Sequence, residues 1–127
     1  MRFLVFISAI ALGVTSCARP ATPNDNSAFA RELAGHVAAP AQSCVTTFPN
    51  QNLRVIDSST LAYGYGRTIY VNRLAAPCPG IEPLNTIIVH AQGSEYCRGD
   101  RVQGREPGAI IAGPQCILNN WTPYRMP

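Results

Sequence analysis

The order of apolar and polar residues divides the chain into three parts with different hydrophobic patterns. Residues 3–14 follow Arg2 as a twelve-residue, mostly apolar stretch without a charge. Such a stretch is typical of a secretory signal and is shorter than the ~20 helical residues that a membrane span needs. Residues 18–26 are polar, contain two prolines and predict a flexible tether. From Cys44 onward, short β-branched and aromatic runs alternate with turn residues, which predicts strands.

The first predicted element after the tether is a helix of one or two turns over residues 27–33. Phe29 and Leu33 are four positions apart and would share its buried face. Asn26 or Ser27 would cap its start, and Gly35 would end it.

Nine strands are predicted between residues 44 and 118. They cover residues 44–48, 53–56, 60–64, 68–72, 84–91, 96–97, 101–103, 109–112 and 116–118. The third and fourth are expected to form a hairpin around Tyr65 and Gly66, because glycine supplies the positive φ that tight turns need. The run from Ile87 to Val89 predicts a central strand buried on both faces. Trp121 is expected to cap the core at the end of the domain.

The predicted fold is therefore mostly β. We expect a small disulfide-linked antiparallel sheet over residues 44–127, a meander or a partly closed barrel, with a short N-terminal helix before it. Residues 1–16 would be the signal peptide, and residues 17–43 would hold the tether and the helix. A domain of this size buries only a little over ~60% of its unfolded surface, so cross-links would add needed stability.

The end of the apolar leader resembles the bacterial lipoprotein box. Val14-Thr15-Ser16-Cys17 places a branched residue, two small residues and a cysteine in the order of that signal. The resemblance implies cleavage before Cys17 and lipidation of Cys17, which would anchor the protein in a membrane. Ala18 after the cysteine favours the outer membrane, facing the periplasm, by analogy with enterobacterial sorting. The alternative is ordinary cleavage after Ala18, which would release a soluble periplasmic or secreted protein.

The cysteine count agrees with lipidation. If Cys17 carries lipid, an even number remains to form disulfides in an exported protein: Cys44, Cys78, Cys97 and Cys116. Three pairings are open. The favoured one joins Cys44 to Cys116, which would tie the ends of the domain, and Cys78 to Cys97. No metal site is expected, because no C-x-x-C pair is present and both histidines are distant from the cysteines.

The charge balance argues against a nucleic-acid partner. All ten basic residues are arginines, and the net charge is +3. Removal of residues 1–16 takes away Arg2 and leaves nine arginines against seven acids, or +2. The one basic cluster, residues 98–105, is interleaved with acids and predicts a mixed, solvated surface. It comprises Arg98, Arg101 and Arg105 among Glu95, Asp100 and Glu106.

Several segments resemble a family of small exported proteobacterial proteins, notably from sphingomonad-type alphaproteobacteria. They are Arg54-Val-Ile-Asp57, Asn72-Arg-Leu, Cys78-Pro-Gly and Tyr96-Cys-Arg-Gly-Asp-Arg-Val102, and the likeness extends over roughly residues 44–121. The family is a domain of unknown function, so the resemblance implies an exported, four-cysteine domain and no catalytic residue.

No catalytic set or cofactor site is expected from the motifs. The chain has no Gly-x-Ser-x-Gly elbow, and its domain cysteines are expected to be oxidised. Asp57 and Asp100 are interpreted as turn residues that accept backbone N–H groups. His90 is interpreted as a structural residue at a strand end.

Aromatic side chains give the best indication of binding. Tyr63 and Tyr65 alternate on one predicted strand, and Tyr70 lies on its partner. Such a group can contact a sugar or a protein, although cross-strand packing in the core is the favoured interpretation. The chain is thus expected to be a lipid-anchored envelope protein, a binding or structural module for an envelope protein or glycan.

Two alternatives have structural requirements. A periplasmic enzyme inhibitor would need a protruding loop, for which residues 92–95 or 103–108 are the candidates. A small envelope hydrolase would need a pocket that joins His90 to Asp57, Asp100 or Glu82.

Overall fold

The structure is a computed structural model that describes residues 25–127. The leader, Cys17 and residues 18–24 lie outside the described residues, so the lipidation and most of the tether stay predictions. One helix, α1 (Asp25–Glu32), precedes the strands. The strands are β1 (Val37–Ala38), β2 (Cys44–Thr46), β3 (Leu53–Asp57), β4 (Thr60–Tyr63), β5 (Thr68–Arg73), β6 (Thr86–His90), β7 (Glu95–Cys97), β8 (Arg101–Arg105), β9 (Cys116–Ile117) and β10 (Trp121–Arg125). The mostly β class with one short N-terminal helix is confirmed.

The strands form three antiparallel sheets. The central sheet has five strands in the order β1-β10-β5-β4-β3, in which β3, β4 and β5 form a meander. A three-stranded sheet has the order β6-β8-β9, and a two-stranded sheet pairs β2 with β7. The sheets are not closed into a barrel. Of the two predicted arrangements, the meander is the one present, in strands β3, β4 and β5.

The central sheet is buried on both faces. Along β4, Leu61 and Tyr63 point to one core cluster and Ala62 to another, because successive side chains of a strand alternate. Phe29 of α1 covers the Ala62 face. The opposite face is covered by the two small sheets, which contribute residues such as Val102 to the larger cluster. The molecule therefore has three layers, with the helix on one outside and the small sheets on the other.

The chain before Cys44 packs with the rest of the domain. The helix α1 contacts β3, and β1 pairs with β10 at the edge of the central sheet. Gly35, with φ 81°, follows the helix in the left-handed conformation that the predicted stop requires.

The predicted hairpin is confirmed. Strands β4 and β5 pair with Tyr63 opposite Tyr70. Gly64 and Gly66 on the connection have φ of 86° and 79°, a region that other residues adopt only with strain. At Gly64 a side chain would also lie 3.0 Å from the Thr68 carbonyl oxygen. Glycine is therefore required there by both conformation and space.

The predicted disulfide pairing is wrong. The structure joins Cys44 to Cys97 and Cys78 to Cys116. Cys44 and Cys97 lie directly opposite each other on β2 and β7, with Cα atoms 4.0 Å apart. The favoured pairing assumed that the ends of the domain would be tied together, whereas the pairing of β2 with β7 brings Cys44 to Cys97, and the connection after β5 brings Cys78 to Cys116 on β9.

Three strand predictions are also corrected. β6 is an edge strand, and its apolar side chains are only partly buried. Residues 109–112 form part of a loop in which Ile110 and Ile111 are 95% and 84% exposed. β10 was not predicted because Pro123 interrupts its pattern. Trp121 at its start is fully buried in the larger cluster, as expected for the residue that caps the core.

Candidate functional site

A groove lies where the edges of two different sheets approach each other. Its volume is about 550 Å³, and it runs between β3 and the start of β6. Each of these strands pairs on one side only, β3 with β4 and β6 with β8. Among the described residues, no other backbone hydrogen bond reaches the free edges of these two strands. The lining residues are Gln51, Asn52, Leu53, Arg54, Val55, Pro83, Leu84, Asn85, Ile87 and Tyr96.

The floor of the groove is apolar and fixed to the core. Leu53, Val55, Ile87 and Tyr96 are partly buried and pack against the larger core cluster. Because five consecutive residues, 51–55, line one side, the groove follows the border of β3 rather than crossing one face. A segment lying there would meet an apolar floor and unpaired backbone groups together.

Tyr96 is held in place by a second tyrosine. The rings of Tyr96 and Tyr63 are 5.8 Å apart at 78°, an edge-to-face arrangement. The Tyr63 hydroxyl accepts a hydrogen bond from the backbone N–H of Phe48 at 2.7 Å. Burial, and to a smaller extent Tyr63, raises the pKa of Tyr96 above its ordinary value. Tyr96 therefore offers the groove a neutral phenol.

The rim of the groove carries an ordered arginine. Arg54 donates two hydrogen bonds to the carboxylate of Glu32 on α1, at 2.9 and 2.8 Å, and one to the Gly64 carbonyl at 3.0 Å. Its guanidinium also lies 4.1 Å from the centre of the Tyr65 ring. This bidentate, stacked geometry fixes the guanidinium and joins the helix to the sheet at the groove.

A strained turn presents an exposed leucine at the mouth of the groove. The Asn85 backbone N–H bonds the Glu82 carbonyl at 3.2 Å and closes a turn over Pro83 and Leu84. Leu84 has φ 76°, a region that usually requires glycine, and it is 95% exposed. The Asn85 side chain anchors the turn by donating to the Gly80 carbonyl at 2.9 Å. An exposed apolar residue on a strained, anchored turn is typical of a binding site.

The three predicted surface tyrosines do not form one surface. Tyr63 is 1% exposed and lies in the core, and Tyr70 packs against the same cluster. Only Tyr65 is exposed, at 57%, where Arg54 stacks on it. The groove itself was missed, since it joins the edges of two sheets with Tyr96 from the third. The one local feature of the sequence that could have indicated the groove is the Pro-Leu-Asn turn before β6.

The two turn aspartates have the roles predicted for them. Asp57 Oδ1 accepts hydrogen bonds from the Ser59 N–H and hydroxyl, and Asp100 Oδ2 accepts the Cys97 N–H at 2.8 Å. Asp57 borders a cavity beside α1 that His90 does not line. His90 lies on β6 opposite Arg101.

One group of side chains has the composition of a metal site. Ligand atoms of Cys44, Glu95 and Cys97 lie within 4.8 Å of one another. The two sulfurs are bonded to each other, however, and a disulfide supplies no thiolate ligand.

The two disulfides indicate an oxidising, extracytoplasmic compartment. Within residues 25–127, no helix has the length and apolarity to span a membrane. No family model, curated protein or solved structure matches the chain.

Proposed function

We propose that this protein is a lipid-anchored binding module of the cell envelope whose groove receives an extended segment of a partner protein. The lipoprotein box at Cys17 supports the anchor, with the outer membrane as its location. The disulfides support a location outside the cytoplasm. The groove between β3 and β6 supports the binding activity.

The single observation that carries the proposal is the pair of free strand edges at one groove with an apolar floor. A free edge offers a row of unpaired N–H and C=O groups, and an extended peptide satisfies them by adding a strand. Backbone hydrogen bonds then supply affinity, and the floor supplies specificity. Apolar side chains at every second peptide position, about 7 Å apart, would face the floor.

Selection of peptides on the purified domain tests the groove. Wild-type protein should enrich peptides with alternating apolar residues. Leu84→Glu places a charge at the groove mouth without disturbing the core, and should weaken binding of those peptides about tenfold. Ile110→Glu is the matched control, because Ile110 is also 95% exposed but does not line the groove. If the two variants lose affinity equally, or if no alternating pattern is enriched, the groove is not the site.

Fractionation tests the anchor separately. The wild-type chain should sediment with membranes, and Cys17→Ala should appear in the soluble fraction, since the acyl chains supply the membrane affinity. Inhibition of lipoprotein signal peptidase should accumulate the uncleaved precursor. Membrane association that survives Cys17→Ala would contradict the anchor and leave the groove untouched.

A specific loop favours an inhibitor as the second candidate function. Residues 106–115 connect β8 to β9 and carry Ile110 and Ile111, both largely exposed. The base of the loop is fixed by the Cys78–Cys116 disulfide and by the Gly113 N–H, which bonds the Gly104 carbonyl at 2.7 Å. An exposed apolar tip on a fixed base suits insertion into an enzyme cleft. It extends beyond the 103–108 segment predicted from the sequence.

Assays of peptidoglycan hydrolases and peptidases from the same envelope test this candidate. The wild-type domain should inhibit one of them, and Ile110→Asp with Ile111→Asp should abolish inhibition while Leu84→Glu retains it. Unimpaired inhibition by the double variant would exclude the loop.

A further inference from the structure

The outer face of the three-stranded sheet is exposed and rich in cations. We call outer face the side chains that the strand register places away from the core: Thr86, Ile88, His90, Arg101, Gln103, Arg105 and Ile117. Val102 and Gly104, which alternate with them on β8, are buried. Residues directly opposite each other on paired strands share a face, so Arg101 lies beside His90 and Arg105 beside Thr86.

The two arginines of the outer face are unpaired. Within the described part of the chain, neither Arg101 nor Arg105 has an ion pair or a side-chain hydrogen bond, and the single salt bridge there belongs to Arg54. Both side chains are exposed. Their charges are therefore available to an incoming anion.

The acids that are neighbours in sequence lie elsewhere in the structure. Glu106 lines a cavity with Gly104, on the inner side of β8. Asp100 is engaged by the Cys97 N–H, and Glu95 lies beside the Cys44–Cys97 sulfurs. Within the described residues, none of these acids forms an ion pair with Arg101 or Arg105, and the strand positions of the outer face include no acid.

The spacing of these groups suits a linear ligand. Arg101 and Arg105 are four residues apart on one strand, or about 13 Å at 3.3–3.4 Å per residue. Gln103 lies between them with an amide, and Thr86 adds a hydroxyl beside Arg105. A row of cation, amide and cation can pair with repeated anions while it hydrogen-bonds hydroxyl groups between them.

We propose that the outer face binds an acidic polysaccharide of the envelope, a glycan with repeated carboxylate or phosphate groups. The charge complementarity is provided by Arg101 and Arg105. We favour a glycan over a lipid surface because the cations form a linear row, and because the outer face belongs to the layer opposite α1, where the proposed lipid anchor would join the domain. This inference goes beyond the peptide groove and uses none of the residues that line it.

Binding of the full-length lipoprotein in detergent to polygalacturonate tests the inference, with neutral dextran as the uncharged polymer. Arg101→Glu with Arg105→Glu should raise the dissociation constant at least about tenfold. Arg67→Glu with Arg125→Glu is the matched control: it changes net charge equally, at two exposed arginines in the β4–β5 turn and at the end of β10, and should shift affinity less than about twofold. Binding should also weaken with salt, since the screening length falls from ~10 Å at 0.1 M to ~3 Å at 1 M.

Circular dichroism confirms that each variant is folded, and Arg101→Gln with Arg105→Gln provides a milder pair if charge reversal disturbs the sheet. Equal losses in the outer-face and control pairs would show that only net charge matters and would overturn the site. Absence of binding to polygalacturonate by the wild-type chain would also overturn it. Outer-face-dependent binding to phosphatidylglycerol vesicles in place of the polysaccharide would identify a membrane contact and reject the glycan.

Discussion

The two faces of the central sheet are covered in different ways. On one face, a two-turn helix places Phe29 against Ile56, Ala62, Ile69 and Val71. On the other, the buried residues of a larger cluster come from four strands and two connections and include Trp121. Both disulfides lie on this second side. The single helix is held by packing and one ion pair, whereas the cover assembled from several short strands is also held by covalent links.

Chain entropy explains this difference. The strands of the two small sheets have two to five residues each and come from separate parts of the sequence. Bringing these strands together costs loop-closure entropy, and such short strands form too few contacts to offset that cost well. The disulfides span 53 and 38 residues. They reduce the entropy lost on folding because they restrict the conformations of the unfolded chain.

The largest expected effect is the loss of a cross-link. Cys78→Ala with Cys116→Ala should lower the free energy of unfolding by about 4 kcal/mol, the chain-entropy estimate for a loop of 38 residues. Urea denaturation measures it. Cys44→Ala with Cys97→Ala should cost a similar amount, because the estimate varies slowly with loop length. If either pair unfolds at the wild-type midpoint, the cross-linked side does not depend on its disulfides.

The next effect separates the two cores. Trp121→Ala should lower global stability by about 3–5 kcal/mol, because it leaves a cavity in the larger cluster. Phe29→Ala should instead release α1 while the sheet stays folded. Hydrogen exchange distinguishes the two outcomes through the Leu33 amide, which bonds the Phe29 carbonyl, and the protected amides of β5. Simultaneous loss of protection in both elements of the Phe29 variant would show that the helix is part of one cooperative core.

A smaller effect is expected at the link between helix and sheet. Glu32→Gln removes the charge from the bidentate pair with Arg54 but keeps the length of the side chain. Since both side chains are partly exposed, the loss should be about 0.5–1 kcal/mol, measured by urea denaturation. Arg31→Gln, a neighbouring exposed charge on α1, serves as control and should be neutral. A loss of stability no larger than that of Arg31→Gln would mean that the ion pair with Arg54 does not stabilise the fold.

The smallest effect is a dependence on pH at the turn that joins β3 to β4. Burial tends to raise the pKa of Asp57, but hydrogen bonds from Ser59 and Thr60 hold that pKa below its ordinary value of 3.8. A lowered folded-state pKa gives stability that is present above pH 3.8 and lost as the pH falls through the folded-state value. Thermal unfolding of wild type and Asp57→Asn should therefore differ near neutral pH and converge in acid. A gap that stays constant with pH would contradict this role for the charge.

Local signals in the sequence predicted the elements whose causes are local. The helix follows from the spacing of Phe29 and Leu33, and the β4–β5 hairpin follows from its glycines. Strand partners depend on contacts between distant segments, and for this reason the cysteine pairing was wrong. The three apolar residues of β6 indicated full burial, yet Ile87 faces the groove and Ile88 the outer face. The candidate site could not be predicted for the same reason: it is formed by the edges of two sheets, whose approach depends on contacts between distant segments.

The position of β10 has a consequence for the order of events in folding. Among the described strands, β10 is the last to leave the ribosome, yet it lies between β1 and β5 in the interior of the central sheet. Its first residue, Trp121, is fully buried. Until the segment as far as Arg125 has emerged, β5 lacks one neighbour and the larger core lacks its biggest side chain. The central sheet therefore cannot be completed before this segment is available, so the packing of the earlier strands depends on a late one.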